Sequence, residues 1–227
     1  MTTITAQARP RTVTIGDKNL EGFLRLPDKA AGLVIFAHGA GSSRLSPRNN
    51  FVADYFSSRD LATLLFDLLS ETEAGDRANV FDIELLAGRV VAALDWVRGQ
   101  AELQSLPAGI FGASTGAAAA LVAAANAPDR VAAVVSRGGR PDLAGAALSK
   151  VRCPTLLIVG GDDMTVLDLN RAALRSLTCE KQLTVIPDAT HLFEEPGTLE
   201  QAADAAASWF GVHFRAADKL AAFKSQD

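Results

Sequence analysis

The stretch that most constrains this chain is Phe111-Gly112-Ala113-Ser114-Thr115-Gly116. It joins a short apolar run (Ala108, Ile110, Phe111) to an alanine-rich run from Ala117 to Ala125. The first suits a buried strand and the second a helix. A serine on a sharp strand-to-helix turn brings the two backbones together, so a Cβ at Gly112 or Gly116 would collide with a neighbour. Ala113 and Ala117 are small and fit the same crowding. Three fixed residues at roughly 7% each recur by chance in about one chain in ten of this length, so the surroundings decide what the turn means.

The surroundings alternate. Arg11 to Ile15 and Leu20 to Leu26 read as strands joined by a Gly16-Asp17-Lys18 hairpin turn. Leu33 to Ala37 is continuously apolar, as a strand buried on both faces must be. A short helix is predicted over Asn50 to Ser57, and a buried strand over Leu61 to Leu69. From Val80 to Gly99 the apolar residues Ile83, Leu86, Val90, Leu94 and Val97 recur at steps of three and four, which predicts a long amphipathic helix. Further strands are predicted over Val131 to Val135, Thr155 to Val159 and Leu183 to Ile186. Helices fit over Val166 to Leu177 and Leu199 to Phe214, and a small one over Leu143 to Lys150. The tail after Arg215 is expected to fray.

Strands alternating with helices imply an α/β fold: a mostly parallel, twisted sheet of about eight strands, covered by helices on both faces, with an antiparallel start. The run from Ser136 to Arg152 is too short and glycine-rich for a large cap. No repeat, linker or shift in composition divides the chain, so one domain over residues 1–227 is expected.

Composition removes several classes of function. A net charge of −4 without a basic stripe argues against nucleic-acid binding. The longest apolar stretch is well short of the ~20 residues that span a bilayer. The opening MTTITAQARPRTV has no apolar core of a secretory signal, which leaves the cytoplasm as the expected location. Three histidines in no ligand spacing argue against a metal site, and no cofactor is implied. Cys153 and Cys179 each precede a predicted strand and read as two reduced, inert thiols at the bottom of the sheet.

In such a sheet ligands sit beyond the carboxyl ends of the strands. Four loops converge there: His38 to Ser43, Ser114 to Gly116, Gly160 to Val166, and Ala189 to Leu192. A serine hydroxyl needs an adjacent base, and histidine can both take and return its proton. His191, between the last strand and the last helix, is the best placed of the three. His38 directly precedes a glycine loop and is expected to hold it, and His213 is expected at the surface of the terminal helix. A carboxylate must fix the imidazole tautomer. Asp162 and Asp163 compete, and the spacing Gly160-x-x-Asp163-x-x-Val166 favours Asp163. Asp67 and Asp188 are further strand-end carboxylates. An oxyanion would need two amide donors, for which Thr115, at the helix start, and Ala40, in the glycine loop, are the candidates. Arg137 and Arg140, just after the strand that follows the serine helix, could aim a guanidinium at a substrate carboxylate. The competing reading ties one or both to Asp142, Glu194 or Glu195.

These motifs together resemble the α/β-hydrolase superfamily and, within it, the compact dienelactone-hydrolase-like group. The resemblance runs from the strand and H-G-x-G loop of Leu33 to Ser43 through G-A-S-T-G and G-G-D-D to A-T-H-L-F. The order Ser114, Asp163, His191 along the chain is also that of the superfamily. Dienelactone hydrolases proper carry a cysteine at the nucleophile position, where this chain has Ser114. The resemblance therefore implies a serine hydrolase acting on a small carboxylic ester, thioester or lactone; Arg137 and Arg140 add the expectation of an anionic substrate. Two alternatives remain open: a hydrolase-like binding module without turnover, and acyl transfer or perhydrolysis by the same triad.

Overall fold

The computed structural model describes residues 8–224, with side chains to residue 219. Eight strands form one sheet: β1 (Arg11–Ile15), β2 (Leu20–Arg25), β3 (Leu33–Ala37), β4 (Ala62–Phe66), β5 (Ala108–Ala113), β6 (Ala133–Arg137), β7 (Thr155–Gly160) and β8 (Lys181–Ile186). Their spatial order is β1-β2-β4-β3-β5-β6-β7-β8. The pairs β1/β2 and β2/β4 are antiparallel and every later pair is parallel. The crossover between β3 and β4 puts β3 and β5 at the centre, where all their residues are buried.

The helices are α1 (Pro47–Ser57), α2 (Glu71–Ala74), α3 (Arg77–Phe81), α4 (Ile83–Arg98), α5 (Thr115–Asn126), α6 (Met164–Ser176) and α7 (Thr198–Lys224). A ten-residue 3-10 segment, Pro141–Lys150, kinks at Gly145. Helices α4 and α5 pack on one face of the sheet, against Ile35 and Ile110. Alanines 117 to 120, 123 and 124 are fully buried, and their small size lets α5 sit close to the sheet. The other face carries α1 and α7 over an aromatic cluster. Phe56 meets Phe111 edge-on at 5.6 Å, and Phe36 lies 5.0 Å from Phe111. Phe210 and Phe214 press onto glycine backbone; a Cβ at Gly109 would lie 2.6 Å from the Phe210 ring and one at Gly32 2.1 Å from the Phe214 ring.

Several boundaries differ from the expectation, each for a local reason. The predicted helix from Val80 divides into α3 and α4 at Asp82, whose carboxylate accepts the Leu85 N–H as an N-cap. The fourth strand stops at Phe66, and the sequence beyond turns into α2, which a capping box between Ser70 and Glu73 starts. The sixth strand runs Ala133–Arg137, two residues later than its apolar run, because Ser136 and Arg137 extend the ladder to β5 and β7. Helix α7 continues to Lys224, past the point where fraying was expected. His213 is buried rather than exposed: it packs 4.4 Å from the Trp209 ring one turn earlier, and burial lowers its pKa. The segments 1–7 and 225–227, which hold part of the opening stretch MTTITAQARPRTV and the end of the tail, lie outside the described residues. Among the described residues no helix is long and apolar enough to cross a membrane. The cysteines are free, and burial pushes the Cys153 thiol up to about 12, so it stays protonated at neutral pH.

Candidate active site

Ser114 sits between β5 and α5 with φ 51° and ψ −124°. Side chains other than glycine avoid that region, at a cost of about 1–3 kcal/mol. Three backbone bonds hold it there. The Ser114 N–H donates to the Arg137 carbonyl (3.4 Å), and the Ser114 carbonyl accepts from Arg140 (3.0 Å) and Ala117 (3.1 Å). The glycines are forced by their neighbours. A Cβ at Gly116 would lie 2.1 Å from the Ala37 carbonyl oxygen, and one at Gly112 2.5 Å from the Ala117 Cα. The turn projects the serine side chain toward Gly39, where it lies half-buried.

Asp163 and His191 meet. Asp163 is the N-cap of α6; one carboxylate oxygen accepts the Val166 N–H (3.4 Å) and the other lies 2.7 Å from His191 Nδ1. Asp162 points to solvent, and only its backbone N–H is used, donating to the Ala189 carbonyl (3.0 Å). The β7 loop presses on the histidine loop, since a Cβ at Gly160 would lie 2.3 Å from the Ala189 oxygen. The histidine loop itself is braced by Glu195, which accepts the Thr190 N–H (3.0 Å) and hydroxyl (2.6 Å). Those bonds hold its carboxyl below the usual carboxylate range. Gly138 lies against His191: a Cβ there would be 3.0 Å from the His191 carbonyl oxygen. Among the described residues no hydrogen bond joins Ser114 Oγ to His191; bonds of this kind are often long before substrate binds.

On the other side of Ser114 is the glycine loop. His38 is half-buried and ties the loop down: Nε2 accepts the Leu68 N–H (3.1 Å) and Nδ1 donates to the Gly39 carbonyl (3.1 Å). Burial lowers its pKa, and the neutral tautomer satisfies both contacts. Asp67 accepts the Arg44 N–H (2.7 Å) and pairs with its guanidinium, which fixes the end of the same loop. The two amides expected to face an oxyanion are arranged differently from each other. The Thr115 N–H opens the helix, whereas the Ala40 N–H donates to the Thr115 hydroxyl (2.9 Å). The Ala40 amide, expected to face an oxyanion, is thus occupied by a side chain. Thr115 takes it because a hydroxyl at the first helical position reaches across to the loop.

The two arginines also divide. Arg140 forks onto Asp142, 2 residues on, through Nε (2.9 Å) and Nη2 (2.8 Å), which is the loop-tying arrangement. Arg137 is buried and, among the described residues, pairs with no carboxylate. Sequence reasoning missed two supports. Asn170, buried in α6, donates to the carbonyls of Gly139 (2.9 Å) and Val166 (2.8 Å), and no local pattern marks it. Glu195 was legible only as a loop acid, although its position 5 residues after Thr190 suits the brace it makes. A cavity of about 310 Å³ opens beside the glycine loop, lined by apolar residues such as Leu45, Leu69 and Val80 and by the charged Arg44, Asp67 and Glu71.

Residues 30–210 match the model of the alpha/beta hydrolase domain. The chain belongs to the α/β-hydrolase family. A dienelactone hydrolase from Anabaena variabilis is similar in sequence and structure, at 51% identity and a TM-score of 0.88, over 91% of this chain and 99% of that one. Est1E from Butyrivibrio proteoclasticus shares the fold at 16% identity, with a TM-score of 0.75 over 90% of this chain and 99% of that one. Two Mycobacterium tuberculosis proteins, provisionally named phosphoribosyl transferases, are 57% identical over 201 residues. That match covers 88% of this chain but 45% of each relative, so the chain spans under half the length of those proteins.

Proposed function

We propose that this chain is a serine hydrolase that cleaves small carboxylic esters, thioesters or lactones through an acyl-enzyme on Ser114. The observation that carries the reading is the 2.7 Å contact between Asp163 and His191 Nδ1, on loops adjoining a serine held in a strained turn. With Nδ1–H donating to Asp163, His191 presents Nε2 as the base. It accepts the Ser114 proton as the hydroxyl oxygen attacks the carbonyl carbon. The tetrahedral oxyanion lies at the N-terminus of α5, where the Thr115 N–H and the helix dipole favour negative charge. Ala40 becomes the second donor by exchanging the Thr115 hydroxyl for the substrate oxygen. His191 then protonates the leaving alcohol, and water enters by the same route in reverse.

The cavity beside the glycine loop supports a short acyl group, since its volume is at the lower end of small-molecule sites. The test is a panel of activated esters of graded acyl length on wild type and Ser114→Ala. Wild type should prefer short acyl chains, and Ser114→Ala should lose at least about 10³-fold in kcat with its fold intact. Ser114→Ala retaining full hydrolysis would end the proposal, and a rate jump when a long-chain ester passes its solubility limit would overturn the short-acyl preference.

A further inference from the structure

The chain holds two cysteines, Cys153 and Cys179, and the fold makes them neighbours. Strands β7 and β8 are parallel, with Thr155 opposite Lys181 where their ladder begins. Two residues back along each chain, Cys153 comes opposite Cys179. Residues two apart on a strand share a face, so both cysteines lie on the side of Leu157 and Leu183 and pack in the same core cluster. Thr155 links them. Its hydroxyl donates to the Cys153 carbonyl (3.1 Å) and accepts the Cys179 thiol (3.7 Å). The Thr155 N–H donates to the Glu180 carbonyl (2.9 Å), which holds the residue after Cys179 against β7. The turn out of α6 is pinned as well: the Thr178 hydroxyl donates to the Ser149 carbonyl (3.2 Å), and the Lys181 ammonium to the Leu177 carbonyl.

Neighbouring strands lie roughly 4.8 Å apart, inside the range of about 4.4–6.8 Å between Cα atoms that a disulfide spans. The two thiols are close enough that, after burial, charge on Cys179 pushes the Cys153 pKa up further. They are also unequal. Cys153 is 6% exposed and protonated, whereas Cys179 is half-buried and open to a small oxidant. A buried thiol alone is inert; beside a reachable one it is a resolving partner.

We propose that Cys153 and Cys179 form a reversible disulfide when the protein meets a peroxide, and that the bridge straps β7 to β8. The Cys179 thiolate attacks the peroxide. An S–O bond forms as the O–O bond breaks, leaving a sulfenic acid on Cys179 and releasing the other oxygen as water. The Cys153 sulfur then attacks the Cys179 sulfur. The S–S bond forms, the S–O bond breaks, and the departing hydroxide takes the Cys153 proton as a second water. The two sulfurs together lose two electrons, which reduce the peroxide.

The strap closes the segment between residues 153 and 179, which contains β7, Asp163 and α6. It joins the two strands whose far ends lead into Asp163 and His191. Closing a loop of that length restricts the unfolded chain and should raise Tm by at least about 4 °C. The inference goes beyond the hydrolase reading and does not rest on it, because both cysteines lie at the opposite edge of the sheet from Ser114.

The experiment treats reduced wild type, Cys153→Ala and Cys179→Ser with hydrogen peroxide in small excess, and follows them by mass spectrometry and thermal unfolding. Wild type should stay monomeric, lose the mass of two hydrogen atoms, yield a cross-linked Cys153–Cys179 peptide and gain the expected Tm. Dithiothreitol should reverse all of this. Cys153→Ala should stop at a sulfenic acid on Cys179 that dimedone traps, with no gain in Tm. In Cys179→Ser the buried Cys153 should stay unmodified. If either variant fails to fold, the wild-type cross-link and its Tm still decide the matter. Cys179 proceeding to a sulfinic acid, or bridging two chains, while Cys153 remains a free thiol would overturn the inference. So would a cross-link that leaves Tm unchanged.

Discussion

The two flanks of Ser114 are built differently. On the β3 and β4 side, the wall of the site is backbone: Gly39, Ala40 and the carbonyls of Ala37 and His38, pinned from behind by His38 and Asp67. On the β6 to β8 side the wall is side chain: Asp163, His191 and Glu195 on the loops after β7 and β8, and Arg137 at the end of β6. The first flank fixes shape through backbone and the bonds of His38 and Asp67. The second fixes charge, and among the described residues its Arg137 has no carboxylate partner. Substitutions on the first flank should therefore act through packing, and those on the second through chemistry with the fold retained.

The sharpest test of the second flank is Asp163→Asn. It keeps the shape and removes the charge, so it favours the wrong histidine tautomer; kcat should fall about 10⁴-fold with little change in melting temperature. Asp162→Asn, whose side chain faces solvent, should stay within about twofold. The opposite ranking would place the catalytic carboxylate one residue earlier and break the comparison.

The first flank should show the reverse pattern. In Gly116→Ala the new Cβ meets the Ala37 carbonyl oxygen at 2.1 Å and the His38 carbonyl oxygen at 2.5 Å, neither of which can rotate away. Overpacking of this kind costs about 3 kcal/mol, and in a domain of this size that lowers Tm by roughly 6–12 °C. Thermal unfolding that left Tm within a degree or two of wild type would show that the wall yields.

The smallest effect concerns His38. Burial lowers its pKa, so below about pH 6.5 the unfolded chain binds a proton that the folded chain resists. The unfolded state then holds more protons, and stability falls as pH drops from 7 toward 5. His38→Gln can still accept the Leu68 N–H but does not titrate, so its Tm should fall less over that window. His213, shifted in the same direction, keeps part of the slope in the variant. Parallel Tm-versus-pH curves for the two proteins would remove His38 from the acid response.

The contrast between the flanks also explains what could be read from the sequence. The backbone flank was legible because its demands are local: Gly112 and Gly116 must lack a Cβ, and the apolar runs of β3 and β5 have no exposed face. Asp163 was legible through its spacing from Gly160 and Val166, which is the geometry of a helix cap. Helix α2 was missed because none of its residues is buried, so it has no apolar period; its one signal is the Ser70–Glu73 capping box. Arg137 and Arg140 could not be told apart in Ser136-Arg137-Gly138-Gly139-Arg140, because the difference lies in which partner tertiary structure brings near. Asp142 is two residues from Arg140, whereas Asn49, Phe111 and Phe193 reach Arg137 from distant segments.

The central claim is that the strained Ser114 is the nucleophile and that the Asp163–His191 pair activates it. It is tested most directly by reacting the protein with a fluorophosphonate and locating the adduct by peptide mass spectrometry. The account predicts a single adduct on Ser114 in wild type, none in Ser114→Ala, and labelling slowed by at least about 10³-fold in His191→Ala. A folded wild-type protein that remains unlabelled, or one labelled elsewhere while Ser114→Ala still hydrolyses esters, would contradict it.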